Sequence, residues 1–306
     1  MQHLISLEDM DRDRLLTLLD RAQQFAELDA RAAQPDSLAG VHVVNLFFEP
    51  STRTRLSFEI AAHRLGADVV NFDAERSSTL KGETLADTFR TVEAMGAQLF
   101  IVRHGDSGAC ELLSELAGSG THIVNAGEGR NAHPTQGLLD MLTIRQFSAL
   151  PFEQLSVAII GDIRHSRVAR SDLHALRALG CRDIRVCAPD ALLPDAGELH
   201  GYRVIDVTDD ALRNADVVMT LRLQRERMED GLVDSLEGYY AGYGIDQRRL
   251  SLAKPDAFVM HPGPMNRGVE IESAVADGPR SAILRQVANG VAVRMAVMEA
   301  LVEHCN

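Results

Sequence analysis

The chain has 306 residues, of which 45% are hydrophobic and 25% charged, and its formal net charge is −13. That length suits two α/β domains, and the acidic balance argues against nucleic acid or an anionic membrane as the main partner. It leaves small anions open, because a local cluster of arginines outweighs the global field at close range. No apolar run approaches the roughly 18–20 residues needed to span a bilayer. The segment Met1–Met10 has neither a basic start nor a long apolar stretch, so a cytoplasmic location is expected. Cys110, Cys181, Cys187 and Cys305 form no CxxC pair and read as four unpaired thiols in a reducing compartment, not as a metal site.

In chain order, Val41–Phe48 is a β-branched and aromatic run fit for a buried parallel strand. After Glu49-Pro50, Ser51 is expected to cap a helix that runs through Leu56, Ile60 and Leu65 and stops at Gly66. Ala67–Phe72 reads as a strand, residues 74–82 as a polar loop, and 83–95 as a helix capped by Thr84 or a neighbour. Gln98–Val102 and His122–Asn125 are two further strands. Beyond Gly127-Glu128-Gly129 a helix opens at Pro134, the position that proline favours. Leu138, Met141, Leu142 and Arg145 follow at helical spacing, which predicts an amphipathic helix, and Pro151 beyond its end marks a domain boundary.

The second half starts over. Ser156–Asp162 is a strand entering a turn, a helix spans about 166–179 and ends at Gly180, and Ile184–Ala188 is the next strand. Ala215–Thr220 and Ala257–His261 are later strands, and a long helix runs from Ile283 to Glu303. Strands alternating with helices predict parallel sheets covered on both faces.

The chemistry collects just past strand ends, where parallel sheets bind their ligands. Ser51-Thr52-Arg53-Thr54-Arg55 lies where a strand gives way to a helix. Unpaired N–H groups and the helix dipole favour an anion there, and hydroxyls with guanidiniums suit the three acceptor oxygens of a phosphate. A capped helix with a solvated basic first turn is the bland alternative, but arginines in a first turn oppose the dipole. Arg103-His104 and Asn131–Gln136 also follow strands; His133 could donate to a carbonyl oxygen or oxyanion, and Gln136 could hold an amide. In the second half, Arg164-His165-Ser166-Arg167 and Arg222–Arg227 follow strands and offer the two cationic forks that a dicarboxylate needs. Gly161-Asp162-Ile163 lacks the dinucleotide fingerprint. His261-Pro262-Gly263-Pro264 makes a rigid turn whose carbonyls point in fixed directions. Lys81 lies in a polar loop, and spacing alone does not raise it above a solvated residue.

Phe47–Glu59, with Pro50-Ser51-Thr52-Arg53-Thr54-Arg55 at its centre, resembles the carbamoyl-phosphate signature of the aspartate and ornithine carbamoyltransferases, and His133-Pro134-Thr135-Gln136 resembles their second motif. Lys81-Gly82-Glu83-Thr84 and Arg222–Arg227 resemble the aspartate branch, and the likeness runs from about residue 4 to 304. Ornithine enzymes carry His-Cys-Leu-Pro where this chain has His261-Pro262-Gly263-Pro264. The chain departs from many of the aspartate branch at Gly263, often leucine, and at Val168, threonine in some relatives.

The resemblance implies transfer of a carbamoyl group from carbamoyl phosphate to the amine of L-aspartate, an early step of de novo pyrimidine biosynthesis, with no metal, no cofactor and no covalent intermediate. Ser51, Thr52, Arg53 and Thr54, with Arg103 and Ser77, would grip the phosphate. Thr54, Arg103 and His133 would donate to the carbamoyl oxygen, while Gln136 and the Pro262 and Gly263 carbonyls hold the carbamoyl NH2. Arg167, Arg222, Gln224 and Lys81 would clamp aspartate, and Glu49, Arg167 and Arg227 would favour domain closure. The loop with Lys81 and Ser77, the match by spacing with Ser78 as the fallback, would reach a neighbouring chain's site, which implies a homotrimer with shared sites. A regulatory or pathway-enzyme chain is a further possible partner, since no nucleotide or zinc module is legible here. The expected layout is a carbamoyl-phosphate-binding domain over residues 1–148, completed by a C-terminal helix of about 285–306 packed back on it, and an aspartate-binding domain over 149–284. The alternatives are a carbamoyltransferase with another acceptor amine and an inactive homologue that binds the phosphate ligand.

Overall fold

The computed structural model describes residues 1–28, 35–73, 82–224 and 235–302. The chain divides into two compact units, one of residues 1–142 with the chain from 287 onward, the other Thr143–Gln286.

The first unit opens with α1 (Arg12–Glu27), which the sequence reading passed over although Asp11 accepts from the Arg14 amide at 2.8 Å as its N-cap. Then follow β1 (His42–Phe47), α2 (Thr52–Arg64), β2 (Asp68–Asp73), α3 (Leu85–Ala94), β3 (Leu99–His104), α4 (Ala109–Leu116), β4 (His122–Glu128) and α5 (Pro134–Phe147). Four parallel strands lie in the order β2-β1-β3-β4. Val44, Leu46, Phe100, Val102 and Ile123 of the sheet pack with Phe89 of α3 and Leu113 of α4, and the Phe89 and Phe100 rings sit 4.7 Å apart. Val43, Leu99, Ile101 and Val124 on the other face are buried as well, the double-sided burial that β-branched and aromatic strands dictate. Thr84 caps α3, accepting from the Asp87 amide at 3.1 Å. The left-handed φ of Gly66, +79°, ends α2, a conformation that glycine adopts without a Cβ penalty.

Helix α5 departs from its expected amphipathic pattern. Residues 132–144 are buried without interruption, the polar His133, Thr135, Gln136, Asp140 and Thr143 included. Its polar side chains therefore face other protein groups and not water.

The second unit contains β5 (Ser156–Ile160), α6 (Arg167–Ala178), β6 (Asp183–Cys187), β7 (Arg203–Val204), α7 (Thr208–Leu212), β8 (Val217–Thr220), α8 (Leu236–Tyr243), α9 (Gln247–Leu250), β9 (Phe258–Met260) and α10 (Ser273–Ala276). Its five parallel strands lie in the order β7-β6-β5-β8-β9. The final helix, α11 (Ile283–Val302), belongs to the first unit from Val287 onward. There Glu299 receives the Arg21 guanidinium of α1 at 2.8 Å. This is the expected two-domain α/β fold with its last helix packed back on the first domain.

Among the described residues no helix is long and apolar enough to cross a membrane. Cys110, Cys181 and Cys187 are buried thiols that form no disulfide, and burial pushes the Cys181 thiol up to about 12. Cys305 lies outside the described residues.

Candidate active site

In each sheet the strand order reverses once, and the crevice beyond the strand carboxyl ends at that point is where open α/β sheets bind ligands. In the first unit the reversal lies between β1 and β3. Phe47 is paired in register with Arg103, and the Phe48 amide donates to the Arg103 carbonyl at 2.8 Å. The segment that follows β1 therefore starts beside Arg103, and α2 begins within it.

Ser51 occupies the N-cap of α2, but its hydroxyl makes no capping hydrogen bond, contrary to the expectation. Thr52, Arg53 and Thr54 form the first helical turn; Arg53 is exposed and Thr54 buried. An uncapped first turn keeps N–H groups available to an anion. The Arg103 guanidinium donates to the Ala126 carbonyl at 3.2 Å and lies 3.3 Å from the Glu49 carboxylate. Glu49, expected to serve domain closure, is thus also a partner of Arg103 within its own unit.

His133 is 4% exposed and precedes α5, and its carbonyl accepts from the amides of Gln136 and Gly137. Gln136 is 9% exposed, and its amide nitrogen donates to both Asp140 oxygens, at 3.1 and 3.2 Å. That contact commits the nitrogen and leaves the Gln136 carbonyl oxygen as the acceptor for an incoming N–H. Burial pulls the Arg294 guanidinium of α11 down to about 9, and the Asp140 charge opposes that fall. Sequence reading missed Asp140; its signal was a carboxylate one helical turn beyond Gln136.

In the second unit the reversal lies between β5 and β8. Gly161, with φ +123°, follows β5, and a Cβ there would meet the Leu221 carbonyl at 2.8 Å. The two strand ends consequently approach closely only because residue 161 is glycine. Asp162 is fully buried; one oxygen accepts from the His165 ring at 2.8 Å and its backbone amide at 3.1 Å, the other from the Gln224 amide at 3.3 Å. One carboxylate so ties the Arg167 segment to the Arg222–Gln224 segment. Arg167, 5% exposed, opens α6, whose Ser166 cap accepts from the Ala169 amide at 3.1 Å. The turn with Pro262 and Gly263 follows β9, and the Gly263 amide donates to the His261 ring at 2.8 Å. Ser77, Lys81 and Arg227 lie outside the described residues.

An anion-binding helix start on one parallel sheet and a pair of cationic segments on another suit an enzyme that joins two anionic substrates. Residues 2–146 match the aspartate/ornithine carbamoyltransferase carbamoyl-P binding domain, and residues 153–301 match the Asp/Orn binding domain of the same family. The chain belongs to the aspartate/ornithine carbamoyltransferase family and is a transferase. Its relatives fall on the aspartate side. It is 60% identical over 302 residues to the aspartate carbamoyltransferase catalytic subunit of Xanthomonas campestris, covering 98% of this chain and 96% of that one. It is 59% identical over 303 residues to the subunit of the same name from Stenotrophomonas maltophilia, with the same coverage, 98% and 96%. Among solved structures, aspartate transcarbamoylase from Trypanosoma cruzi in complex with carbamoyl phosphate and aspartate has a TM-score of 0.89 and 34% identity over 98% of this chain and 97% of its own.

Proposed function

We propose that this chain transfers the carbamoyl group of carbamoyl phosphate to the amine of L-aspartate, giving N-carbamoyl-L-aspartate and phosphate. The observation that carries the reading is the Ser51–Thr54 helix start beside Arg103 at the reversal of the first sheet, in a chain 60% identical to an enzyme of that name. Ser51, Thr52, Arg53, Thr54, Ser77 and Arg103 bind the phosphate. Thr54, Arg103 and His133 donate to the carbamoyl oxygen, which gains negative charge as the amine attacks. Gln136 and the carbonyls of Pro262 and Gly263 accept from the carbamoyl NH2. Arg167, Arg222, Gln224 and Lys81 hold the aspartate carboxylates.

The amine nitrogen bonds to the carbamoyl carbon, the bond from that carbon to the bridging phosphate oxygen breaks, and the departing phosphate takes the amine proton. No strong protein base is needed, so positioning and electrostatics supply the rate. The working unit is a cytoplasmic homotrimer in which Ser77 and Lys81 serve a neighbouring chain; Glu49, Arg167 and Arg227 favour the closed state. A panel of acceptor amines with carbamoyl phosphate tests the assignment. L-Aspartate reacts and L-ornithine does not; equal turnover of ornithine, or none of aspartate, sinks it.

A further inference from the structure

We propose that His261, paired with Glu270, is a positioning residue that governs selection of the carbamoyl NH2 by locking the peptide plane that carries the Pro262 carbonyl. This rests on the reading in which the Pro262 and Gly263 carbonyls accept from that NH2.

His261 is 1% exposed and Glu270 fully buried. The Gly263 amide donates to His261 Nδ1 at 2.8 Å. A ring nitrogen that accepts carries no proton, so the imidazole proton resides on Nε2. Nε2 lies 3.1 Å from Glu270 Oε1, which accepts it. The same oxygen accepts the Asn266 amide, and the His261 amide donates to Gln286 Oε1 at 2.9 Å. Buried side chains therefore grip the turn at residues 261, 263 and 266. Glu270 selects the tautomer: a proton on Nδ1 would face the Gly263 N–H donor to donor.

The Pro262–Gly263 peptide is trans. In a trans peptide the N–H and C=O point in opposite directions. With the Gly263 N–H drawn inward to the buried imidazole, the Pro262 carbonyl is turned outward. Pro262 and Gly263 are only half-buried, unlike the histidine beneath them. An acceptor held in this way discriminates between ligands, because a ligand with a methyl in place of the NH2 leaves it unpaired. The selectivity thus lies in the turn, while the histidine touches neither substrate.

The test is equilibrium binding of carbamoyl phosphate, acetyl phosphate and inorganic phosphate to the full chain and two variants. In His261→Gln the terminal amide reaches the Nε2 position and the acceptor toward Gly263 is lost. In His261→Asn the side-chain oxygen sits near the Nδ1 position and keeps it. His261→Gln should lose about tenfold of the preference for carbamoyl over acetyl phosphate, about the worth of one hydrogen bond, with inorganic phosphate bound as before. His261→Asn should retain most of the preference. Parallel weakening of both acyl phosphates in His261→Gln, or equal loss of preference in both variants, overturns the proposal. A wild-type chain that does not distinguish acetyl from carbamoyl phosphate overturns instead the reading of the turn carbonyls. A readout independent of variant folding is the 15N spectrum of histidine-labelled wild type: the Nε2–H tautomer is expected for His261, and an Nδ1–H tautomer refutes the mechanism.

Discussion

Asp140 sits one turn beyond Gln136 on α5 and has two tasks that its position in the chain does not announce. Both its oxygens accept from the Gln136 amide nitrogen, and its charge partly offsets the burial of Arg294, 3% exposed, whose guanidinium lies over the Phe58 ring at 4.7 Å. Both groups are buried, and a buried cation that loses a nearby opposite charge keeps its desolvation penalty uncompensated. Asp140→Ala should therefore destabilise the chain by about 3 kcal/mol in denaturant unfolding, and adding Arg294→Met should recover most of that loss. A double variant no more stable than the single one would show that Arg294 does not depend on Asp140. Gly161 makes a similar point: its need for glycine comes from the Leu221 carbonyl, 60 residues away in sequence.

At the scale of elements, two carboxylates stitch the second sheet and its helices. Burial alone would raise the Asp183 carboxyl, but hydrogen bonds from Arg185, Ser156 and Arg203 overcome it and hold the group at about 2; Arg203 thereby ties β7 to β6. The Arg248 hydrogen bond, against a smaller burial penalty and with help from Arg249, likewise holds Asp209 of α7 at about 2. Both groups sit below their unfolded value near 4, so each contributes stability that is full above that value and is lost as pH falls toward 2. Asp183→Asn with Asp209→Asn should lower the melting temperature at neutral pH. The gap from wild type should narrow steadily from about pH 5 down to about pH 2. A gap that stays constant over that range would show that neither carboxylate is paired in solution. Element boundaries themselves were largely legible: β1, α2 and β3 follow the strand-to-helix rhythm. The helices α1, α4 and α7 to α10 and the short strand β7 are not read from the sequence, and α5 is misread as amphipathic, because periodicity reports a polar face without saying whether water or protein meets it.

For the whole molecule, the proposed trimer makes one lysine decisive. Lys81→Ala and Arg53→Ala should each leave a nearly inactive assembly. When the two variants exchange subunits in equal amounts, three-quarters of random trimers are hybrids with one whole site of three, so about a quarter of wild-type activity should return. An active Lys81→Ala variant would make the lysine a solvated loop residue. Two inactive variants with no recovery on mixing would place Lys81 in its own chain's site.

The run Ser51-Thr52-Arg53-Thr54 at a strand-to-helix junction, the cations after later strands and the turn at Pro262 were all visible in the linear chain. Local rules govern them: strand burial, helix dipoles and proline geometry act over a few residues. What the folded chain added is which group faces which. The sheet reversals put Arg103 beside the segment after β1 and Asp162 under Gln224. Those pairings depend on strand order and on contacts between residues up to 62 positions apart, and no local pattern encodes them, because burial and hydrogen-bond satisfaction are settled only once distant segments share one core.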